Sequence, residues 1–111
     1  MSLKIPVVQD WIIMNIEEIK CRQDVADYFD LKLKTLSRRF VQYQGSTMLQ
    51  YIKKLKWERA KALLRSENMR CSEIAFRLNL GSPQYVARVF KCKFGLTMTD
   101  YRRSCTSHLG H

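Results

Sequence analysis

The sequence has few glycines and prolines, which interrupt regular secondary structure, and few histidines, which often act as general bases. Its 111 residues include four glycines, two prolines and two histidines. Both histidines, His108 and His111, stand at the C-terminal end, and the carboxylates are scattered among basic residues. No internal histidine is therefore available to pair with a serine or cysteine in acid–base or nucleophilic catalysis. The sequence argues against an enzyme.

Closely spaced cysteines are also missing. Cys21, Cys71, Cys92 and Cys105 form no C-x2-C pair, and a structural zinc site needs tighter clusters of ligands. We therefore predict no metal and no cofactor. A disulfide framework is possible in number but unusual in a helical chain with this much apolar material. Free, reduced thiols in a cytoplasmic protein are expected, with a redox switch as the alternative.

Long apolar runs are absent as well. The first ten residues lack the apolar stretch of a signal peptide, and no segment approaches the length of a membrane span. Alternation typical of strands is not found either. The apolar fraction of 46% still suffices for a core, and its three- and four-residue spacing indicates helices. The chain is predicted to be all-α, with one domain or two very small ones sharing a helix.

Negative charge is the last shortage. The chain has ten Asp and Glu residues and 20 Lys and Arg residues, which gives a net charge of +10. This balance favours nucleic acid, an anionic membrane surface or an acidic partner, and cannot choose among them alone. A basic central helix could lie on anionic lipid, but its apolar stripe is needed for packing. No membrane partner is therefore expected.

What the chain does contain is an internal repeat. The pattern Arg38-x-Phe40-x4-Gly45-x-Thr47-Met48-x2-Tyr51 recurs 50 residues later, from Arg88 to Tyr101. Upstream, Val25-Ala26 is answered by Ile74-Ala75 at an offset of 49, so the second copy holds one extra residue in between. A unit of roughly 30 residues thus occurs twice.

Helical periodicity predicts seven helices. They are expected at about 7–20, 21–29, 34–44, 47–66, 72–78, 83–94 and 97–103, with Ser72 as an N-cap, Pro83 at a first helical position, and helix ends at Gly45 and Gly95. The predicted fold is a seven-helix bundle of two helix-turn-helix subdomains joined by a long central helix. Its parts are a first subdomain at 7–46, a linker helix at 47–66, a second subdomain at 67–104, and a disordered tail at 105–111.

Each repeat matches the geometry of a helix-turn-helix motif. Ala26 and Ala75 are small enough for two helices to cross closely, and the second helix of such a motif enters the major groove of DNA. The outer faces of the two second helices carry side chains that can bond to bases. The predicted base-contacting residues are Lys34, Ser37 and Arg38 in the first repeat, and Gln84, Tyr85 and Arg88 in the second.

The central helix predicts the spacing of these two contacts. About 20 residues at 1.5 Å each span roughly 30 Å, and successive major grooves lie about 34 Å apart. A monomer could place both second helices in adjacent grooves of double-stranded DNA. A non-specific architectural DNA-binding protein is the alternative.

Several motifs are similar to those of a known family. Ile74-Ala75, Arg88-x-Phe90-Lys91-x3-Gly95 and Tyr101-Arg102, together with Tyr51-Ile52-x2-Leu55-Lys56-x3-Ala60-x2-Leu63-Leu64, resemble the DNA-binding domain of the AraC/XylS family of bacterial transcription regulators. The likeness covers about residues 11–103. The chain departs from it at Asn79-Leu80, where the family usually has Gly-Phe, at Val86 in place of Phe, and at Met98 in place of Pro.

The resemblance implies a sequence-specific regulator of transcription, most often an activator, that recruits RNA polymerase in the bacterial cytoplasm and nucleoid. It implies the same base-contacting residues, and phosphate contacts from Arg39, Ser46, Thr47, Lys56 and Lys91. Many members carry a separate domain for sensing a ligand, so no small-molecule ligand is expected within this chain. Whether the chain is part of a longer regulator stays open. An acidic patch of Asp10, Glu17 and Glu18 on the first helix could meet polymerase or could simply face solvent.

Overall fold

The computed structural model describes residues 4–66 and 69–109, with side chains described as far as residue 104. Within these residues the chain forms seven α-helices and no strand, which confirms the predicted fold class. The helices are α1 (Ile5–Met14), α2 (Arg22–Tyr28), α3 (Leu33–Gln44), α4 (Met48–Ser66), α5 (Cys71–Arg77), α6 (Pro83–Phe94) and α7 (Met98–Leu109). In the described part of the chain, no helix has the length and apolarity to cross a membrane.

The chain divides into two compact units within α4, between Lys56 and Trp57. The first part of α4 places Met48 and Ile52 in the core of the first unit. Its second part places Leu63 and Leu64 in the core of the second. The linker helix predicted at 47–66, whose apolar stripe was expected to be needed for packing, contributes residues to both cores.

In the first unit, α2 and α3 pack as a helix-turn-helix pair. Val25 and Ala26 of α2, and Leu36 and Phe40 of α3, are fully buried. The ring of Phe40 lies 5.2 Å from that of Tyr51 in α4, measured between centroids. Ala26 has no exposed surface, as expected for a small residue at a close helix crossing.

The second unit repeats this packing with α5 and α6. Ile74, Ala75, Val86 and Phe90 are fully buried, and the Phe90 ring contacts those of Phe94 and Tyr101. Each pair of helices is therefore held by one alanine and one phenylalanine at corresponding repeat positions.

The turns within the two pairs begin with the same backbone structure. Asp30 and Asn79 each adopt a left-handed conformation, with φ of 55° and 54°. The N–H of Leu31 donates to the Ala26 carbonyl at 2.9 Å, and Leu80 donates to Ala75 at 3.1 Å. Asn and Asp tolerate this conformation better than most residues other than glycine. Asn79 can therefore occupy the position where glycine is usual without changing the turn.

Three predicted helix ends differ from the structure. α1 ends at Met14 instead of continuing to residue 20, because the Asn15 side chain donates to the Trp11 carbonyl at 2.8 Å and competes with helix extension. Ile16 and Ile19 are nevertheless buried, so their helical spacing was misleading. α5 begins at Cys71, with Arg70 rather than Ser72 at its N-cap.

The C-terminal end is the third difference. α7 was expected to end near residue 103 and to be followed by a disordered tail at 105–111. The backbone is instead helical to Leu109, because no proline or glycine interrupts the sequence before Gly110. Gly110 and His111 lie outside the described residues.

Candidate nucleic-acid interface

The outer face of α3 carries the first set of predicted contacts. Lys34 and Arg38 are exposed, on the side of the helix opposite the buried Leu36 and Phe40. The helix ends at Gly45, whose φ of 85° suits the left-handed cap. The packing of Leu36 and Phe40 in the core of the first unit fixes which face of α3 points outward, so the charged side chains reach solvent.

Ser37 is less suited than Lys34 and Arg38 to its predicted role in base contact. Its hydroxyl oxygen is buried and makes no hydrogen bond to any described residue. A buried oxygen cannot meet a base edge without rotation of the side chain. The correction follows from the position of Ser37 at the edge of the outer face, which spacing alone does not resolve.

The spacing of Leu36, Phe40 and Tyr43 is typical of one inner helix face, but Tyr43 does not belong to the core. The residue is 60% exposed. It lies one turn beyond Phe40, near the end of the helix, and is not covered there.

The outer face of α6 carries the second set. Gln84 and Arg88 are exposed, and Val86 and Phe90 are buried on the opposite side. The helix begins with Pro83 at its first position and with Ser82 as N-cap, since the Ser82 hydroxyl accepts a hydrogen bond from the Tyr85 N–H at 3.2 Å. α3 lacks such a side-chain cap at Lys32.

Tyr85 is exposed to 44% but its ring is in contact with the protein. A Cβ atom added to Gly81 would lie 3.0 Å from Cδ2 of the Tyr85 ring. The Arg88 guanidinium carbon is 5.9 Å from the ring centroid. The predicted base-contacting tyrosine therefore lies near both a glycine and the arginine one turn further along the helix.

The position of the extra residue in the second repeat is now clear. Leu31 corresponds to Leu80 at an offset of 49, and the first residue of α3, Leu33, corresponds to Pro83 at 50. The single Lys32 is thus replaced by Gly81 and Ser82. The change of offset from 49 to 50 shows in the sequence that one residue is extra. Only the structure locates that residue in the turn before α6, close to Tyr85.

The candidate phosphate contacts have different surroundings. Arg39 and Lys91 are exposed, and Ser46 is half-buried. Thr47 caps α4: its hydroxyl oxygen accepts from the Gln50 N–H at 3.1 Å, while its own N–H donates to the Gln50 side chain at 3.1 Å. The hydroxyl hydrogen of Thr47 is left to donate to a phosphate.

Lys56 must be removed from the predicted phosphate contacts. It is only 4% exposed and is the last residue of the first unit. Burial lowers the pKa of its ammonium group from the ordinary value of 10.5, and the nearby Asp24 and Cys21 oppose that effect. A side chain with so little exposed surface does not reach DNA, although its basic neighbours in sequence, Lys53 and Lys54, are exposed.

Other basic residues also interact with groups of the protein itself. In the second unit, the Lys61 ammonium nitrogen lies 4.6 Å from the Phe94 ring centroid. Arg65 donates to the Tyr101 hydroxyl at 3.1 Å. Arg102 donates to the backbone carbonyls of Leu64, at 3.2 Å, and Met69. The net charge of +10 therefore overstates the number of cations available to a polyanion.

No metal or disulfide chemistry accompanies this surface in the described part of the chain. Among those residues, no group of three or more His, Cys, Asp or Glu side chains could hold an ion. Cys21, Cys71 and Cys92 are free thiols.

Comparison with known proteins identifies the family to which the two helix-turn-helix motifs belong. A family model described as a helix-turn-helix domain, of the AraC type, matches residues 25–104, from the core of α2 into α7. The chain belongs to the AraC/XylS family. This confirms the resemblance read from the repeat and from the linker-helix motif, and it makes the chain a DNA-binding domain of that type.

Alignments with known relatives cover most of this chain. The transcriptional activator RhaS of Salmonella schwarzengrund is 30% identical over 100 residues, which is 90% of this chain and 36% of RhaS. The C-terminal domain of AraT, a response regulator from Geobacillus stearothermophilus, is 25% identical with a TM-score of 0.77, over 93% of this chain and 86% of that one. The chain thus spans about a third of the length of the curated AraC-type relatives that it matches.

A further AraC-type likeness concerns the fold alone. The DNA-binding domain of the global transcriptional factor AdpA, solved in complex with a target DNA, has a TM-score of 0.81 at 23% identity, over 96% of both chains.

Proposed function

We propose that this domain reads a bipartite DNA site, with α3 and α6 each inserted into a major groove. The observation that carries the proposal is the pair of exposed arginines, Arg38 and Arg88, at the same register of the two repeats. Arginine can donate two hydrogen bonds to guanine O6 and N7. Lys34 and Gln84, one turn earlier and also exposed, are the neighbouring base-contacting residues of the two helices.

We assign phosphate contact to Arg39, Thr47 and Lys91, and keep Ser46 as a weaker candidate. Arg39 and Lys91 are exposed on the recognition helices, and the Thr47 hydroxyl stands at the start of α4. Such contacts fix orientation on the duplex and carry no sequence information themselves. Chemistry on the nucleic acid is not part of the proposal: the domain binds and does not catalyse.

The two half-sites are proposed to lie in adjacent grooves. α4 is continuous over 19 residues, which is about 28 Å at 1.5 Å per residue. This length is similar to one turn of B-DNA, roughly 34 Å. The outer faces differ in sequence, so the half-sites need not be palindromic.

Selection of bound duplexes from a random-sequence pool, at about 0.15 M salt, tests this reading. The expected result is a bipartite motif with half-sites about one helical turn apart. Arg38→Ala should erase the preference within one half-site and Arg88→Ala within the other. Recovery of sequences without enrichment would overturn specific reading and favour an architectural binder that uses charge alone.

For the whole protein we propose activation of transcription in the bacterial cytoplasm and nucleoid, through contact with RNA polymerase. The support is the description of RhaS as a transcriptional activator. Asp10 and Glu18 are exposed acidic residues available for such a contact, although Glu18 lies in the turn that follows α1 and not on the helix.

Transcription in vitro would test the proposed activation. A template with the selected site upstream of a weak promoter should give more transcript when the protein is added, and Arg38→Ala should abolish the increase. A fall in transcript would identify a repressor. An unchanged level with the site fully occupied would overturn the polymerase contact.

A further inference from the structure

The turn before α6 contains a small packed assembly that the first repeat lacks. It consists of Gly81, Ser82, Tyr85 and Arg88, and it includes the one-residue difference between the repeats. The Tyr85 ring is central to it, because it lies close to Gly81 and its centroid is 5.9 Å from the Arg88 guanidinium carbon.

Gly81 provides the space for the ring. Its φ is +133°, a conformation that side chains rarely adopt. A Cβ at this position would lie 3.0 Å from the ring carbon Cδ2, so the ring would have to shift by a few tenths of an ångström. Glycine therefore suits both the backbone conformation of the turn and the close position of the ring.

Ser82 holds the backbone of the same tyrosine. Its hydroxyl oxygen accepts the Tyr85 N–H at 3.2 Å, as an N-cap does for the first turn of a helix. Both the backbone and the ring of Tyr85 are thus constrained before any DNA is bound.

Arg88 lies one turn further along, with its guanidinium carbon 5.9 Å from the ring centroid. A guanidinium near an aromatic face is attracted to it. A long side chain held in one region loses less conformational freedom when it binds, which sharpens recognition. In the first repeat the position that corresponds to Tyr85 is Thr35, which offers no ring to Arg38.

We propose that Tyr85 is a positioning residue, not a base-contacting one. Seated on Gly81, it orients the Arg88 guanidinium so that the second recognition helix discriminates its base pair more sharply than Arg38 could without a ring. This inference deepens the proposed function and rests on it, since it requires that Arg88 reads a base.

Affinity measurements on a double-mutant cycle test the proposal. The readout is the affinity ratio between the selected site and a site changed at the one base pair whose preference Arg88→Ala erases. Tyr85→Leu should lower this ratio by about two- to fivefold, and Tyr85→Phe, which keeps the ring, should preserve it. In an Arg88→Ala background, Tyr85→Leu should have no further effect. The ratio at the base pair read by Arg38 is the internal control and should not change.

The outcomes separate the possibilities. A loss of affinity from Tyr85→Leu that persists in the Arg88→Ala background would mean that the ring contacts DNA itself. An affinity ratio that Tyr85→Leu leaves unchanged would mean that the ring does not contribute to base discrimination. Either result overturns the positioning role and leaves the proposed function standing. A preference that Arg88→Ala does not alter at any base pair would overturn both the positioning role of Tyr85 and the base contact proposed for Arg88. A wild-type domain with no sequence preference would overturn both.

A measurement on the free protein gives an independent test. In the NMR spectrum, the side-chain Nε–H of Arg88 should be more ordered than that of Arg38, and Tyr85→Leu but not Tyr85→Phe should remove the difference. Equal order of the two arginines in the wild type would overturn the proposal. Circular dichroism of each variant shows whether the fold is retained.

Discussion

Replacing Lys56 with methionine tests whether burial, rather than sequence motif, decides which lysines bind DNA. Lys56 is 4% exposed, whereas Lys91 is exposed on α6. Lys56→Met and Lys91→Met each remove one positive charge, so they form a matched pair. The logarithm of the affinity falls with the logarithm of salt concentration by about 0.9 for each phosphate contact. Lys91→Met should reduce that slope by about 0.9, and Lys56→Met should leave it unchanged.

Titration of a fluorescent duplex at several salt concentrations measures both slopes. The lost contact of Lys91→Met should make the change in affinity between 50 and 200 mM salt roughly 3.5-fold smaller. Lys56→Met should show the wild-type change. A reduced slope for Lys56→Met would mean that Lys56 leaves the core to meet a phosphate, which would refute the reasoning from burial.

The same variant has an expected effect on stability. Burial lowers the pKa of Lys56, with Asp24 and Cys21 opposing the effect, so over a range just below pH 10.5 the unfolded chain holds a proton that the folded chain has released. The free energy of unfolding contributed by Lys56 should therefore rise as pH rises through that range. Denaturation by urea at pH 7 and pH 10 should show the wild type gaining stability relative to Lys56→Met. A difference between the two proteins that is constant with pH would contradict this.

Three further predictions concern reading, packing and capping. Arg38→Ala and Arg88→Ala should each cost about 1–3 kcal/mol of binding free energy on the selected site; footprinting should show weakened protection at one half-site each, and equal losses on random DNA would instead indicate phosphate contact. Phe90→Ala should lower the free energy of unfolding by about 3–5 kcal/mol because the ring is fully buried, while Tyr43→Ala, at an exposed position, should stay within about 0.5 kcal/mol; thermal denaturation compares them, and similar losses would contradict the burial pattern. Ser82→Ala should cost about 0.5–2 kcal/mol through the lost cap of α6, measured in the same way, and no change would mean that the hydrogen bond to Tyr85 contributes little.

Much of the fold could be predicted because local patterns and packing agree. The spacing of Leu36 and Phe40, and of Val86 and Phe90, marks the buried face of each recognition helix, and the opposite face follows from helical geometry. Glycine at residues 45 and 95 marks two helix ends. Arg38 and Arg88 were identified for the same reason, since a residue opposite a core must face outward.

The errors fall where a residue's neighbours in space outweigh its neighbours in sequence. Asn15 ends α1 through a side-chain bond to Trp11, although the apolar spacing continues to Ile19. Lys56 lies in a basic, helical stretch and matches a family motif, but its side chain is buried. Ser37 lies on the outer helix face by spacing, yet neighbouring atoms cover its hydroxyl.

The amino-acid sequence was sufficient to identify the repeated unit, the all-α class, the family and the two outward-facing arginines. Each of these depends on periodicity or on identity at a fixed offset, which a linear chain displays directly. Only the folded structure shows how exposed each cation is and which groups surround the base-contacting residues. Lys56 is buried, Lys61 lies over the Phe94 ring, and Arg88 lies near the Tyr85 ring, which is close to the extra glycine. These are properties of contacts between residues on different turns and helices, and they exist only once the cores have brought those elements together.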